Sequence, residues 1–210
     1  MKKINYLAII PARRKSKRIK NKNIKYIKKK ILFDYTLEAA KNSNKIDQII
    51  ITTNIKRLLK NNSKKIFYVK RPDGLSKDVN STESAITHCL DVFLKEEDKL
   101  INNIVLLQPT SPFRNAQDID GAINEFEKKK NDSLFSAYTD KLYIWRKKKN
   151  KLNSITYDYN KRKRSQVMEE TIVEVEHGNW HSAHRERRNE PLNAWQRTSE
   201  KWQQFRRRRS

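Results

Sequence analysis

Cysteine, glycine and acid are the scarce commodities of this chain. One cysteine in 210 residues, Cys89, excludes an intramolecular disulfide and fits a reducing compartment. It falls within an apolar helical pattern, which favours packing over service as a nucleophile. No stretch approaches the ~18 uninterrupted apolar residues of a membrane helix, and no long apolar run follows Lys2 and Lys3. The expected location is therefore the cytoplasm. Only 24 Asp and Glu stand against 48 Lys and Arg, a formal charge of +24. Such an excess draws nucleic acid and anionic surfaces without any dedicated site, although clusters such as 128–130 and 147–149 read as solvated faces. Just three glycines are present, and no internal repeat is evident.

What the chain does have is a series of short apolar runs. Ile4, Tyr6, Leu7, Ala8, Ile9 and Ile10 lie close together without helical spacing and are closed by Pro11. A run of this length bounded by turn chemistry reads as a buried strand of the parallel type. The same logic predicts strands over 46–53, 66–69, 104–107 and 133–138. Helix-length segments separate them. Asn80 with Glu83 resembles a capping box leading into Ala85, Ile86, Cys89, Leu90 and Phe93, and Asn115 with Asp118 leads into Ile119, Ile123 and Phe126. Alternation of strand and helix to about residue 140 argues for an α/β fold, a mostly parallel sheet with helices on both faces. A length of 210 residues favours one domain of this kind. Ligands of such sheets sit beyond the carboxyl ends of the strands, where the loops starting at Arg13 and Gln108 would converge.

The loop after the first run is the strongest functional signal. From residue 13 to 30 there are 11 Lys or Arg and no Asp or Glu. A polyphosphate is the natural counterpart for that density of charge. Ile10-Pro11-Ala12-Arg13 with Ser16-Lys17 and Lys22-Asn23 is similar to the nucleotide loop of the acylneuraminate cytidylyltransferases. Three further matches follow in the same order: Arg71-Pro72-Asp73-Gly74-Leu75-Ser76-Lys77-Asp78, then Gln108-Pro109-Thr110-Ser111-Pro112-Phe113-Arg114, then Asp132-Ser133-Leu134-Phe135-Ser136-Ala137. Four in register are specific where one would be weak. The resemblance extends through Arg162-Lys163-Arg164-Ser165-Gln166 and fades near Glu174.

The resemblance implies a Rossmann-like nucleotidyltransferase that transfers CMP from CTP to an acidic nine-carbon sugar and releases pyrophosphate. It implies that Arg13, Ser16, Lys17 and Lys22 contact the triphosphate, with Arg13 and Lys22 serving catalysis, and that Asn23, Arg71 and Thr82 seat the nucleotide. Gln108, Thr110 and Ser111 would contact the sugar, Arg164 its carboxylate, and Arg114 would be structural. Mg²⁺ is the implied cofactor and a homodimer the implied assembly. No segment over 175–210 matches the family's acidic metal ligands, so the metal ligands stay unassigned. The chain departs from the family where two loop glycines are replaced by Arg14 and Lys15, and a proline by Lys20. Glycine there admits positive φ and close approach of backbone N–H groups to phosphate, so β-carbons are expected to distort the cradle and weaken turnover before binding.

Beyond residue 174 the composition shifts. Residues 1–176 hold 30 Lys, 9 Arg and 21 Ile, whereas 177–210 hold 1 Lys, 8 Arg and no Ile. The expectation is a cytidylyltransferase-like domain over 1–174 and an atypical, disordered basic tail, foreign to the domain, over 175–210. His177, His181 and His184 have the spacing of one helical face, but in such a tail chance explains them better than a metal site. Two rivals to the enzyme stand open: an inactive relative that keeps the fold, and a nucleic-acid binder driven by charge. The second lacks, in the sequence, the interleaving of aromatic and basic residues expected of a stacking platform.

Overall fold

The computed structural model describes residues 2–16, 19–76 and 81–182. The elements in chain order are β1 (Lys2–Ala12), β2 (Tyr26–Ile27), β3 (Lys30–Ile31), α1 (Leu32–Asn42), β4 (Gln48–Thr53), β5 (Ile66–Lys70), α2 (Thr82–Glu96), β6 (Lys99–Leu106), α3 (Ala116–Lys129), β7 (Ser133–Asp140), β8 (Trp145–Lys148), β9 (Lys151–Ser154) and β10 (Thr171–Ser182). The chain divides into two compact units. Among the described residues, one comprises those up to Leu134 together with the chain from Glu176 to Ser182, and the other Phe135–Val175.

In the first unit, β5, β4, β1 and β6 lie side by side in that order, all parallel. The expected strands all form, and each is within a few residues of its expected bounds. β1 sits in the middle because its sequence can be dry on both faces: Leu7, Ala8, Ile9 and Ile10 are wholly buried. Alternation then sorts the side chains. Ala8, Ile10, Ile49, Ile51 and Val105 pack with Phe33, Ala39 and Ala40 of α1 and Ile119, Ile123 and Phe126 of α3. Leu7, Ile9, Ile50, Phe67 and Leu106 pack on the opposite face with Ile86, Cys89, Leu90 and Phe93 of α2. Burial of each such Leu, Ile or Phe stabilises the fold by ~1.5–3 kcal/mol before entropy is counted. Cys89 is buried as expected, and burial pushes its thiol up to about 12, so it stays protonated and inert.

The capping box of α3 is present: Asn115 Oδ1 accepts from the Asp118 amide at 2.9 Å, and Asp118 accepts from the Asn115 amide at 2.9 Å. At α2 the cap is Ser81, which accepts from the Ser84 amide at 3.2 Å, one residue later than the Asn80 pattern implied. Asn80 itself lies outside the described residues.

The parallel sheet gains one antiparallel neighbour, since Asn179–Ser182 of β10 pairs with β6 from Leu106 back to Asn103. β10 therefore runs across the 174/175 boundary that composition suggested. His177 and His181 lie on this strand, not on the helix their spacing suggested, whereas His184 and residues 206–209 lie outside the described residues.

Tyr6, Lys45 and Glu127 tie β1, the turn after α1 and α3 together. Lys45 Nζ donates to Glu127 Oε2 at 2.9 Å and Tyr6 Oη donates to Oε1 at 3.0 Å. Lys45 above all, and then Tyr6, holds the Glu127 carboxyl below its ordinary range. A depressed carboxylate contributes stability above its unfolded pKa of about 4.3, and that contribution is lost as pH falls through the lower folded value. Because both ion-pair partners are more than a third exposed, the gain is below ~1 kcal/mol. Glu127→Gln should lower the melting temperature slightly near neutral pH, with the difference from the parent fading in acid. Thermal scans across pH check this.

The second unit carries the β8–β9 hairpin, paired from Trp145↔Ser154 to Lys148↔Lys151. Its two-residue turn, Lys149-Asn150, has positive φ at both positions, 43° and 47°, which suits the twist of the flanking strands.

Candidate active site

The carboxyl ends of β1, β4 and β5 open onto a cleft of about 480 Å³ lined by Arg14, Asn54, Lys56, Lys70, Arg71 and Asp73, among others. This is where a parallel sheet presents its loops to a ligand. Thr53 starts the assembly: its Oγ1 donates to the Ala12 carbonyl at 2.6 Å and accepts from the Ile55 amide at 3.0 Å, while its own carbonyl accepts from the Arg71 amide at 2.8 Å. Asn54 then bridges all three loops. Its Oδ1 accepts from the Arg14 amide at 2.8 Å, and its Nδ2 donates to Asp73 Oδ1 at 3.0 Å.

Arg71 is 5% exposed, with Nε donating to Thr52 Oγ1 at 3.3 Å and Nη2 to the Thr52 carbonyl at 3.0 Å. Burial, reinforced by the like charge of Arg13, pushes the guanidinium down to about 10. Neither Thr52 nor the neutral Cys89 thiol supplies a negative charge to offset it. An anion entering beside Arg13 and Arg71 would remove that penalty.

Asn23 is buried in the 3-10 turn Lys22–Ile24, and its Nδ2 donates to the Arg13 carbonyl at 2.9 Å. The structure thus brings Arg13, Asn23 and Arg71 into one neighbourhood, with half-buried Lys22 beside Asn23 and half-buried Ser16 farther along the same loop. Lys17 and Asp78 lie outside the described residues. Thr82 is exposed at the first position of α2, after Ser81. Arg14 and Lys15 are not among the residues with positive φ. The left-handed step in this loop is made by Asn21, at φ 56°. What the Arg14 substitution does face is a committed amide, already bonded to Asn54.

The Gln108 turn leaves β6, and β6 flanks β1 in parallel register, so this turn and the Arg13 loop emerge on the same edge of the sheet. It stands on the other side of β1 from the cleft, and no described residue lining that cleft belongs to it. Arg114 secures the turn, with Nη2 donating to Thr36 Oγ1 at 3.1 Å and to the Gln108 carbonyl at 2.9 Å. Burial pushes Arg114 down to about 10. Ser111 is buried, Gln108 is half-buried, and Thr110 Oγ1 together with Arg114 Nε and Nη1 is buried without a hydrogen-bond partner. Arg164 is exposed in the second unit, where its carbonyl accepts from the Val167 amide at 3.0 Å.

Asn54 and Asp73 escaped the sequence reading. Their signal was available, since both are polar residues just past strand ends, but nothing in the sequence joined Asn54 to the Arg13 loop 40 residues earlier. Asn54→Ala should leave the fold intact and weaken CTP binding by about three- to ten-fold, because two loop-joining hydrogen bonds worth ~0.5–1.5 kcal/mol each are lost. Titration calorimetry with CTP measures it.

Among the described residues no group of three or more His, Cys, Asp and Glu could hold a metal ion. Asp73 is the carboxylate lining the cleft, and Asn54 engages one of its oxygens. The described donors do not make a metal cage by themselves.

A doubly covered parallel sheet with a cationic first loop defines an α/β protein whose cleft at the strand carboxyl ends suits an anionic ligand. The cytidylyltransferase family model matches residues 7–190, and the chain belongs to that family. It is 35% identical over 122 residues to the N-acylneuraminate cytidylyltransferase of Escherichia coli O18:K1:H7, covering 58% of this chain and 28% of that protein. It is 32% identical over 135 residues to the pseudaminic acid cytidylyltransferase of Campylobacter jejuni strain 81-176, covering 62% and 57%. The chain thus spans little more than half, or less, of these relatives' lengths. Among solved structures, the 4-diphosphocytidyl-2C-methyl-D-erythritol synthase of Anaerococcus prevotii superposes with a TM-score of 0.57 at 14% identity, over 93% of this chain and 83% of that one, a likeness of fold. No helix among the described residues is long and apolar enough to cross a membrane.

Proposed function

We propose that this chain is a nucleotidyltransferase that moves CMP from CTP onto an acidic nine-carbon sugar of the nonulosonic type. The observation that carries the reading is the buried guanidinium of Arg71, which lines the cleft without a carboxylate among its hydrogen-bond partners, in a chain of the cytidylyltransferase family. The anomeric hydroxyl oxygen forms a bond to the α-phosphorus, the α–β phosphoanhydride bond breaks, pyrophosphate leaves, and the hydroxyl proton passes to solvent. Arg13 and Lys22, with Ser16 and Lys17, hold the charge that moves onto pyrophosphate, so their contribution grows as the bond breaks. Asn23 and Thr82 seat the nucleotide beside Arg71. Gln108, Thr110 and Ser111 take the sugar on the far side of β1, in the turn that Arg114 secures through the Gln108 carbonyl. Arg164 pairs with the sugar carboxylate, the domain carrying this chemistry is 1–174, and the assembly is a homodimer.

The relatives named above act on N-acylneuraminate and pseudaminic acid, which supports an acidic sugar as acceptor. A divalent cation, Mg²⁺ in this reading, would arrive on the triphosphate, which with water can supply most of an octahedral shell. The reaction class requires a sugar-acid supplier upstream and a glycosyl transfer that consumes the CMP-sugar downstream.

One observation favours a second reading, a nucleotide-binding relative without turnover: the Arg14 amide is already bonded to Asn54 Oδ1. Pyrophosphate release with CTP, Mg²⁺ and a panel of nonulosonic acids separates the two. Release with one sugar supports transfer. CTP binding with no release from any sugar supports the silent relative, and absence of CTP binding sinks both.

A further inference from the structure

The β2–β3 hairpin of the first unit reads Lys25-Tyr26-Ile27-Lys28-Lys29-Lys30, basic at all but two positions and without an acid. CMP transfer as set out above uses none of these residues. Tyr26 pairs with Ile31 and Ile27 with Lys30, so Lys28-Lys29 is the turn at the tip, with φ 54° at Lys28. Buried Ile31 roots the hairpin in the core. Tyr35 Oη of α1 donates to the Ile27 carbonyl at 2.6 Å, and the Leu32 amide donates to the Lys25 carbonyl at 2.8 Å. These bonds fix the place of the tip on the first unit.

The hairpin shows solvent a mixture of apolar and cationic groups. Tyr26 is 63% and Ile27 39% exposed, and the lysines beside them are exposed as well. Lys30 pairs with Glu38, whereas Lys25, Lys28 and Lys29 have no carboxylate partner among the described residues. Arg57 adds a cation near the root: its guanidinium lies 5.8 Å from the centre of the Tyr26 ring, and Nη2 donates to Tyr26 Oη at 2.9 Å. Asp34 already has Lys30, Arg57 and Lys60 within electrostatic reach, so the acids of α1 leave the tip lysines without counter-charge. The run 128–130 at the end of α3 lacks this mixture. There Lys129 pairs with Glu125 at 3.2 Å, and residues 127–132 include no apolar side chain.

We propose that the hairpin docks on an anionic lipid bilayer, with Lys25, Lys28 and Lys29 at the headgroups and Ile27 and the Tyr26 ring entering the interfacial layer. Charge complementarity selects this occupant, because anionic headgroups form a negative plane that the tip lysines meet together. Apolar groups beside the cations then reach the boundary of the acyl chains, where leaving water stabilises them. A nucleic-acid strand is served less well. Arg57 covers a face of the Tyr26 ring and binds its hydroxyl, and Ile27 offers neither a stacking plane nor a charge. A single short cluster of cations gives reversible, salt-sensitive attachment and not a stable anchor. The proposal concerns where the protein sits, so it goes beyond the transferase reading and does not depend on it.

The test is sedimentation of the full chain with large vesicles, either phosphatidylcholine alone or with about a quarter of phosphatidylserine. The anionic vesicles should retain the protein and the neutral ones should not, and binding should fall as salt rises. Lys28→Gln/Lys29→Gln should weaken partition about 30-fold, or about five-fold for each lysine near such a surface. Ile27→Ser should weaken it about three- to five-fold with the salt dependence of the parent. Lys128→Gln/Lys129→Gln/Lys130→Gln removes more charge elsewhere and should change partition less than about two-fold. Thermal scans check that each variant folds, and Lys28→Gly/Lys29→Gln replaces the hairpin pair if glutamine is not tolerated at the positive φ. The proposal fails if the anionic vesicles do not bind, if the 128–130 triple weakens binding as much as the hairpin pair, or if Ile27→Ser binds as the parent does. It fails also if the hairpin pair loses affinity for an oligouridylate but not for vesicles, which would make nucleic acid the occupant. Conversion of a dimer to a monomer in the hairpin pair at unchanged vesicle affinity would overturn it too, by making a second copy the occupant.

Discussion

Replacing Arg71 with methionine should cost the protein its nucleotide while sparing its fold. The guanidinium is buried, its hydrogen bonds run to Thr52, and the neighbouring charge is that of Arg13. Burial disfavours the charged form, so at neutral pH the native state carries a penalty that a neutral side chain of similar length removes. The Thr52 carbonyl loses a donor at a cost of ~1 kcal/mol or somewhat more, and the two effects oppose each other. The melting temperature of Arg71→Met should therefore stay within a few degrees of the parent. CTP affinity should fall by about 10- to 100-fold, since a hydrogen bond from a charged donor contributes ~1.5–3 kcal/mol. Arg71→Lys should recover only part of it, because an ammonium cannot reproduce the forked donors. Calorimetric titration beside a thermal scan decides the matter: unchanged affinity would remove Arg71 from the nucleotide site, and a collapsed melting temperature with intact affinity would make it a structural residue.

Phe93→Ala should produce the largest loss of stability of any single change considered. Phe93 is wholly buried under α2, meets Phe67 edge-on at 5.1 Å between ring centres, and has the Lys99 ammonium 5.8 Å from its ring centre. Truncation removes the transfer energy of the ring and leaves a hole that close-packed neighbours fill poorly, together ~3–5 kcal/mol. For a chain of this size that corresponds to a melting temperature lower by about 6–20 °C. Phe93→Leu keeps most of the volume and should lose far less. A fall of less than a few degrees in Phe93→Ala would show that the α2 face of the sheet is not the packed core described above.

The strands were legible because a sheet buried on both faces demands unbroken apolar runs, and β1, β4 and β5 have them. The α3 cap was legible for a similar local reason, since Asn115 and Asp118 complete their box within one turn. The α2 cap was read one residue early because Asn80, Ser81 and Thr82 all have capping chemistry and only geometry chooses among them. Antiparallel β10 was invisible, since its pairing with β6 links segments more than 70 residues apart. At Arg14 and Lys15, where the family has glycines, the sequence could not say which residue takes the left-handed step; the structure puts it on Asn21.

By itself the sequence determined the cationic loop behind β1, the alternation of strand and helix, and the four motifs that resemble one family. These are local properties of side-chain polarity and spacing, present before the chain folds. Only the tertiary structure decided that Arg71 is buried against Thr52 at the cleft, that Asn54 links three loops, that the Gln108 turn stands across β1 from the cleft, and that distant aromatic rings come into contact. Each depends on which strands lie side by side, and strand order is set by the packing of two buried faces against α1, α2 and α3.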